Sequence, residues 1–327
     1  MERRHSLVPQ VAALMLAAPG LCPAADTIRY PIKPIRFIVT FAPGGGTDIF
    51  ARAIAQKFTE TWGQPVIVDN RAGGNGNIGT DLVAKAPADG YTILLTTNAT
   101  IVINPHLSKL PYDPVRDLAP VSQVAALPFV LLVHPSLPVK SVAELIALAR
   151  AKPGQLNFGS SGGGGGAHLS GEMMKTMASI EMTHVPYRGA APALVALLGG
   201  EVQFMYVSIL TATPLIESNR VRAVAVSGLQ RSPALPNVPA VQETPGLAGF
   251  ETDLWYSMLA PAKTDPGIID KLYREIKRIL SLQEFRSRFE PTGTMMIGSS
   301  PAEFARTIKS DLAKWAAVIK SSGAKLD

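Results

Sequence analysis

With 327 residues the chain is too long for one hydrophobic core of ordinary size, so two structural units are expected. Hydrophobic residues make up 47% of the chain and charged residues 17%, a balance that excludes an intrinsically disordered protein. The net charge of +6 comes from scattered Lys and Arg without a basic run. Nucleic-acid binding is therefore not expected, and the excess positive charge suits anionic solutes.

The first residues predict export. Two arginines precede the apolar run VAALMLAAPGL, which is followed by small residues, and this is the layout of a secretory signal peptide. The run is far shorter than the roughly 20 residues that cross a bilayer. We therefore expect a signal peptide over 1–25 that is removed. Its removal takes away Cys22, the only cysteine, so disulfide and thiol chemistry are not expected in the mature protein.

The next part of the chain alternates predicted strands with predicted helices. IRFIVTF (35–41) indicates a buried strand, and a helix follows because Phe50, Ile54 and Phe58 recur at helical spacing on one face. PVIVDN and YTILLTT are the next two strands, with a short helix around 81–85 between them. This alternation predicts a parallel sheet with helices on both faces.

The middle of the chain repeats the scheme. Strands are predicted at PFVLLVHP, QLNFGSS, MTHVPY, VQFMYV and VRAVAVSG. Between them lie the helices SVAELIALAR, with Ser141 and Glu144 as a capping box, AHLSGEMMKTMA and PALVALL. The strand WYSMLAP and the long amphipathic helices IIDKLYREIKRIL and PAEFARTIKSDLAKWAAVIK end the chain.

Two glycine clusters stand where a strand ends and a helix begins. They are Gly44–Gly46, after the first strand, and Gly162–Gly166, after QLNFGSS. In open α/β sheets ligands bind at this carboxyl end of the strands. The clusters therefore allow three interpretations: a nucleotide loop, a serine nucleophile on a tight turn, or a backbone site for another anion.

Nucleotide and metal sites are disfavoured. Ile49 occupies the position where a G-x-G-x-x-G motif beginning at Gly44 needs glycine, and no Lys-Ser/Thr pair follows either cluster. The histidines show no metal-ligand spacing such as H-E-x-x-H. We therefore expect neither a cofactor nor a metal.

A serine nucleophile remains an alternative. Gly159–Gly163 reads G-x-S-x-G with Ser161 at its centre, between a strand and a helix as a nucleophile elbow requires. The last histidine, His184, follows Ser161 too closely for the usual order of a triad. A secreted serine hydrolase that uses Ser161 would need His106 or His134 in another order.

Anion binding by the backbone accounts for both clusters. The first turn of a helix has unpaired N–H groups and a positive partial charge. Glycine lets that backbone approach a ligand closely and form a nest of donors. Each hydrogen bond to a charged group contributes about 1.5–3 kcal/mol, so a few of them give micromolar affinity.

Several segments together resemble one family. YPIKPIRFIVTFAPGGGTDIFAR, VDNRAGGNGNIG, FGSSGGGGGAHLSGE, HVPYRGAAPA and LPNVPAVQE occur in the order found in the Bug-type receptors of tripartite tricarboxylate transporters. The resemblance covers essentially the whole mature chain. It implies an α/β, two-lobe type II periplasmic-binding-protein fold with mixed, mostly parallel sheets flanked by helices. Lobe 1 would comprise 26–126 plus 251–327, and lobe 2 would comprise 127–250.

The resemblance also implies a function. The protein would be a monomeric periplasmic receptor that binds a small organic or aromatic carboxylate and delivers it to the subunits of a membrane transporter, without catalysis. The expected ligand-binding residues are Phe41, Ala42, Gly44, Gly45, Gly46, Thr47, Asp48, Gly74, Thr97, Ser160, Ser161, Gly162, Gly163, His168, Tyr187 and Trp255.

Two positions depart from the family pattern. Val207 stands where the family usually has an aspartate, and WYSM replaces the more usual Trp-x-Gly. Both positions are expected near the far end of the pocket. Without the aspartate, a plain organic or aromatic acid is favoured over an amino acid.

Overall fold

The computed structural model describes Met1 and residues 29–322. The predicted signal peptide over 1–25 therefore lies outside the described residues, apart from Met1. The strands are β1 (Ile35–Val39), β2 (Val66–Asn70), β3 (Thr92–Thr97), β4 (Leu118–Val133), β5 (Asn157–Ser160), β6 (Thr183–Pro186), β7 (Phe204–Ser208), β8 (Arg222–Val226), β9 (Asp253–Pro261) and β10 (Met295–Met296). The α-helices are α1 (Gly46–Trp62), α2 (Asn77–Ala84), α3 (Val142–Ala151), α4 (Gly166–Ala178), α5 (Ala190–Leu198), α6 (Ile209–Glu217), α7 (Pro266–Ser281), α8 (Gln283–Phe289) and α9 (Pro301–Ser322).

The strands form a mixed sheet in the order β2-β1-β3-β9-β4-β7-β5-β6, with β8 and β10 also paired to β4. Strands β1, β2 and β3 are parallel to one another, and so are β5, β6 and β7. Strand β9 is antiparallel to β3, and β4 is antiparallel to both β9 and β7. Parallel neighbours are joined through helices, as parallel pairing requires. The predicted α/β class is confirmed.

Strand β4 links two halves of this sheet. It pairs with β9 as far as Pro128 and with β7 from Phe129 onward. The first half contains β1, β2, β3, β9, β10 and the start of β4, and the second half contains β5 to β8 and the end of β4. The two predicted lobes and their exact boundaries remain a proposal. The switch of β4 from pairing with β9 to pairing with β7 supports it.

The first strand shows why its sequence is apolar throughout. Ile35, Phe37 and Val39 pack into the largest core cluster, whereas Ile38 packs into a second cluster on the other face of the sheet. A strand buried on both faces reads as a continuous hydrophobic run. Helix α1 covers one face with its periodic apolar residues, which include Phe50. The predicted helical face is confirmed.

Two helices were not predicted from the sequence. Helix α6 contains Pro214, which removes a backbone donor and disfavours a helix interior. It forms because Ser208 caps its start by accepting a hydrogen bond from Thr211 N–H and because its first turns are buried. Helix α8 is short and is held by Phe285 and Phe289, whose rings pack against Phe50. Within residues 29–322, no helix has the length and hydrophobicity to cross a membrane.

Candidate anion-binding site

The two glycine loops meet at one enclosed space between the halves of the sheet. This inner cavity has a volume of about 50 Å³. Six of the predicted ligand-binding residues line it: Phe41, Gly45, Gly46, Thr47, Thr97 and Ser161. The sequence therefore located both loops that form the cavity.

The start of helix α1 forms one wall. Gly44 has φ +82°, a left-handed conformation that favours glycine, and its N–H donates to Asp48 Oδ2 at 2.9 Å. Gly45 is the extended N-cap residue, and its carbonyl accepts the first helical hydrogen bond from Ile49 N–H. The N–H groups of the first turn, from Gly46 onward, therefore have no partner within the helix.

The start of helix α4 repeats this geometry on the opposite wall. Gly164 has φ +76°, and its N–H donates to His168 Nδ1 at 2.8 Å. Gly165 is an extended N-cap whose carbonyl accepts the first helical hydrogen bond, from Leu169 N–H. Gly165, Gly166 and Ala167 line the inner cavity. The first turn of α4 thus presents its free N–H groups to the same space as that of α1.

Two helix N-termini give this cavity a positive potential without any cationic side chain. Each N-terminus carries about half a positive elementary charge. Of the described residues that line the inner cavity, none is Asp, Glu, Lys, Arg or His. This geometry is the one that the glycine pattern predicts for an anion site built from backbone donors, and the site itself stays a prediction.

Asp48 and His168 hold the two glycine turns from behind. Asp48 accepts hydrogen bonds from Gly44 N–H, Arg52 Nε and Asn70 Nδ2. Burial alone would raise the pKa of the Asp48 carboxyl, but these donors bring that pKa below its usual value. His168 is buried, and its Nδ1 is an acceptor. Neither side chain lines the inner cavity, so both position the backbone that does.

We expect Asp48→Asn to lower ligand affinity about fivefold at neutral pH, because an amide cannot accept all of these hydrogen bonds. The pKa of Asp48 is lower in the folded protein, so its contribution is complete at neutral pH and is lost as the pH falls through that pKa. Calorimetric titrations from about pH 7 down to pH 3 would test this. The control is Asp89→Asn, which removes a surface ion pair with Lys33. An equal loss of ligand affinity in Asp48→Asn and Asp89→Asn would contradict the role of Asp48 in positioning the glycine turn.

A second space, the mouth, adjoins the inner cavity. The mouth has a volume of about 180 Å³ and shares Phe41, Asn75 and Ser161 with the inner cavity. Four further predicted residues line it: Gly74, Gly162, Gly163 and Tyr187. These residues therefore border the route between the inner cavity and the outside.

Six predicted residues line neither space: Gly44, Asp48 and His168, which shape the two glycine turns, and Ala42, Ser160 and Trp255. Ala42 lies beside the loop at Gly189. Ser160 is buried, and its hydroxyl donates a hydrogen bond to Gly162 O. Trp255 packs away from the cavity, where its Nε1 donates to Asp311 Oδ2 at 2.9 Å. Its neighbour Tyr256 lines the cavity instead, because successive residues of a strand point to opposite faces.

Much of the remaining wall was not predicted from the sequence. It includes Phe129, Tyr206, Ser208, Thr211, Leu254 and Tyr256. Val207, where the family usually has an aspartate, also lines the cavity. Ser208 and Thr211 belong to the start of α6, the unpredicted helix. Burial raises the pKa of Tyr256 to about 12, although hydrogen bonds with Ser208 and Thr47 lower it. One signal in the sequence could have identified Tyr256: as the strand residue after Trp255, it had to point to the face of the sheet opposite Trp255.

The geometry of the serine–histidine pair does not favour hydrolysis. His184 Nε2 lies 2.7 Å from Ser160 Oγ, not from Ser161. The Ser160 side chain is fully buried and does not line the inner cavity, so a substrate in that space would not reach it. Within residues 29–322, no group of three or more His, Cys, Asp or Glu is arranged to hold a metal ion.

Comparison with known proteins identifies relatives over nearly the whole length. A family model described as tripartite tricarboxylate transporter family receptor matches residues 50–324. The structure of Rpa4515 from R. palustris with adipate is 37% identical, with a TM-score of 0.88, and the match covers 90% of this chain and 99% of that one. The periplasmic binding protein BugD is 32% identical, with a TM-score of 0.86, over 90% of this chain and 99% of BugD.

A third solved structure has the same architecture. MatC (Rpa3494) from Rhodopseudomonas palustris, with bound malate, is 30% identical, with a TM-score of 0.85, over 89% of this chain and 100% of MatC. These matches confirm the predicted periplasmic-binding-protein fold and the resemblance from which it was inferred.

Proposed function

The chain belongs to the tripartite tricarboxylate transporter receptor family, and we propose that it is a periplasmic receptor that binds a small organic or aromatic carboxylate and delivers it to a membrane transporter. One observation carries the proposal: the first turns of α1 and α4 line the same cavity. Those turns come from the two halves of the sheet, so one ligand would hold both halves together.

The chemistry of the site suits a carboxylate. Its two oxygens accept several hydrogen bonds, and the free N–H groups of the two first turns supply them. A few such bonds at about 1.5–3 kcal/mol each are sufficient for micromolar affinity. The relatives agree in ligand class, since Rpa4515 was solved with adipate and MatC with malate.

Receptors of this family bind and release a solute, and we propose no catalytic step for this chain. The alternative of a serine hydrolase using Ser161 has no observation in its favour. Ser161 lines the cavity, but the hydrogen bond of His184 Nε2 is with Ser160 Oγ. An activated serine needs a base within hydrogen-bond reach.

The test is a binding and activity panel on the mature protein purified from the periplasm, where intact mass would also show the expected loss of 1–25. We expect short carboxylates to raise the melting temperature and to bind by calorimetry, whereas amines of the same length do not. A generic ester should not be hydrolysed. Hydrolysis that Ser161→Ala abolishes would establish the enzyme instead, and failure of every carboxylate to bind would contradict the receptor.

We also propose that the mature protein is a monomer, because the cavity is formed within a single chain. Size-exclusion chromatography with light scattering would detect a dimer if this were wrong.

A further inference from the structure

The positive charge at the inner cavity is enough for one carboxylate. The two helix N-termini contribute about half an elementary charge each, which together balances one negative charge. Val207 is buried in the wall, and no charged side chain lines the cavity among the described residues. A second carboxylate or an ammonium in this enclosed space would therefore lack a counter-charge, which is unfavourable for a buried ion.

The wall contains a fully buried hydroxyl that has no partner in the described part of the chain. Tyr206 is fully buried and lines the inner cavity, and its Oη makes no hydrogen bond to the described part of the chain. Buried polar groups are nearly always hydrogen-bonded, so this hydroxyl marks a position where a ligand atom would complete the site. Burial raises the pKa of Tyr206 well above its ordinary value, so the group stays protonated and acts as a donor.

The position of this hydroxyl is fixed by packing. Tyr206 pairs with Leu131 across β7 and β4, and its ring stacks with Phe250 at a centroid distance of 6.2 Å. The hydroxyls of Ser208 and Thr211 lie 3.0 Å apart and bond to each other. A second buried atom without a partner among the described lining residues, Asn75 Oδ1, is an acceptor beside the loop at Gly162. Among the residues that line the inner cavity, Tyr206 therefore supplies a buried donor that has no partner in the described part of the chain.

The size of the inner cavity limits the ligand. A water-sized group needs about 10–15 Å³. The 50 Å³ of the cavity thus admits a short chain. Phe129 and Leu254 also line the cavity, so the middle of that chain would meet apolar surface.

We propose that the natural ligand is a short monocarboxylate with a neutral hydrogen-bond acceptor, such as a carbonyl or hydroxyl oxygen, at the end opposite the carboxylate, and that Tyr206 donates to this acceptor. The inference rests on the proposed function and narrows its substrate class. It sets this chain apart from Rpa4515 and MatC, whose structures contain the dicarboxylates adipate and malate.

Three matched acids test the proposal. The acids 4-oxopentanoate, 4-methylpentanoate and succinate share the same carboxylate arm and the same number of non-hydrogen atoms. They end in a ketone, in an isopropyl group and in a second carboxylate. By calorimetry on the wild type at pH 7.5, we expect 4-oxopentanoate to bind about tenfold more tightly than either of the others.

The variant Tyr206→Phe removes the hydroxyl and keeps the ring. We expect it to lower the ratio of the affinities for 4-oxopentanoate and 4-methylpentanoate about tenfold. The control is Tyr30→Phe, which removes a buried hydroxyl that donates to Gly90 O and belongs to a residue lining neither the inner cavity nor the mouth. It should leave the ratio unchanged, and thermal melts would show that both variants are folded.

The possible outcomes separate this inference from the proposed function. Succinate as the tightest ligand would overturn the inference while leaving a carboxylate receptor. An unchanged ratio in Tyr206→Phe would overturn the role of Tyr206. Failure of all three acids to bind the wild type, together with failure of the wider carboxylate panel, would remove the proposed function and the inference with it. If Tyr206→Phe does not fold, the wild-type ranking still decides the substrate class.

Discussion

Replacing Gly46 by alanine is expected to lower carboxylate affinity at least 100-fold while leaving each half of the sheet folded. The added methyl group would lie 2.7 Å from Ser208 Oγ and 2.9 Å from Thr211 Oγ1, and it would also contact Tyr256 Oη. These distances are too short for a carbon atom, so the start of α1 and the three hydroxyl groups would have to move apart. Loss of about two charge-assisted hydrogen bonds costs roughly 3 kcal/mol, which is about 100-fold in affinity.

The matched control is the neighbouring residue. A methyl group at Gly45 would make ordinary contacts, 3.7 Å from Ala42 O and 3.8 Å from Ala190 Cβ. Gly45→Ala should therefore lose much less affinity than Gly46→Ala, although both residues line the cavity. Calorimetry would give the affinities and thermal unfolding would report stability. Wild-type affinity in a folded Gly46→Ala protein would contradict the close approach of α1 to the ligand.

Replacing Val207 by aspartate is expected to weaken carboxylate binding about 30-fold more than replacing it by asparagine. Both side chains have similar size, so the difference between the variants reports the charge. Val207 lines the small cavity, and a negative charge about 8 Å from the ligand carboxylate repels it by roughly 2 kcal/mol at an effective dielectric constant of about 20.

The pH dependence of that difference has a defined sign. Burial raises the pKa of a carboxyl group, so the introduced aspartate becomes neutral as the pH falls. The gap between Val207→Asp and Val207→Asn should therefore narrow from pH 8 towards pH 5. Equal affinities in the two variants at pH 8 would show that Val207 lies too far from the bound carboxylate to influence it.

The sequence predicted the order of strands and helices well because both signals are local. The spacing of Phe50 and its partners identified α1, and the apolar run of β1 identified a strand buried on two faces. The glycine clusters marked the two helix starts, since an unpaired first turn and flexible backbone are properties of short segments. These two starts form opposite walls of the inner cavity.

The rest of the wall depends on long-range packing. Ser208 and Thr211 line the cavity because they lie at the start of α6. The local sequence does not favour this helix, since it contains Pro214. Tyr206 and Tyr256 come from β7 and β9, whose neighbours in the sheet are set by the path of β4. The direction of the side chains in those strands decides which aromatic ring reaches the cavity. In β9 the ring of Tyr256 reaches it, whereas Trp255 lies on the opposite face of the sheet.

Asp48 and His168 illustrate a signal that the sequence contained. Each stands four residues after a glycine with positive φ and accepts that glycine's N–H. Aligning GGGTD with GGGAH would have indicated one shared turn and a positioning role for both side chains. Their different chemistry also shows that the turn requires an acceptor and not a particular charge.

A crystal structure with bound 4-oxopentanoate is the most direct test of the central claim that one carboxylate bridges the two halves. We predict that its carboxylate oxygens accept hydrogen bonds, directly or through one ordered water, from the first turn of α1 at Gly46 and Thr47 and from the first turn of α4 at Gly166 and Ala167. A carboxylate held by only one of these turns, or bound outside the inner cavity, would contradict it.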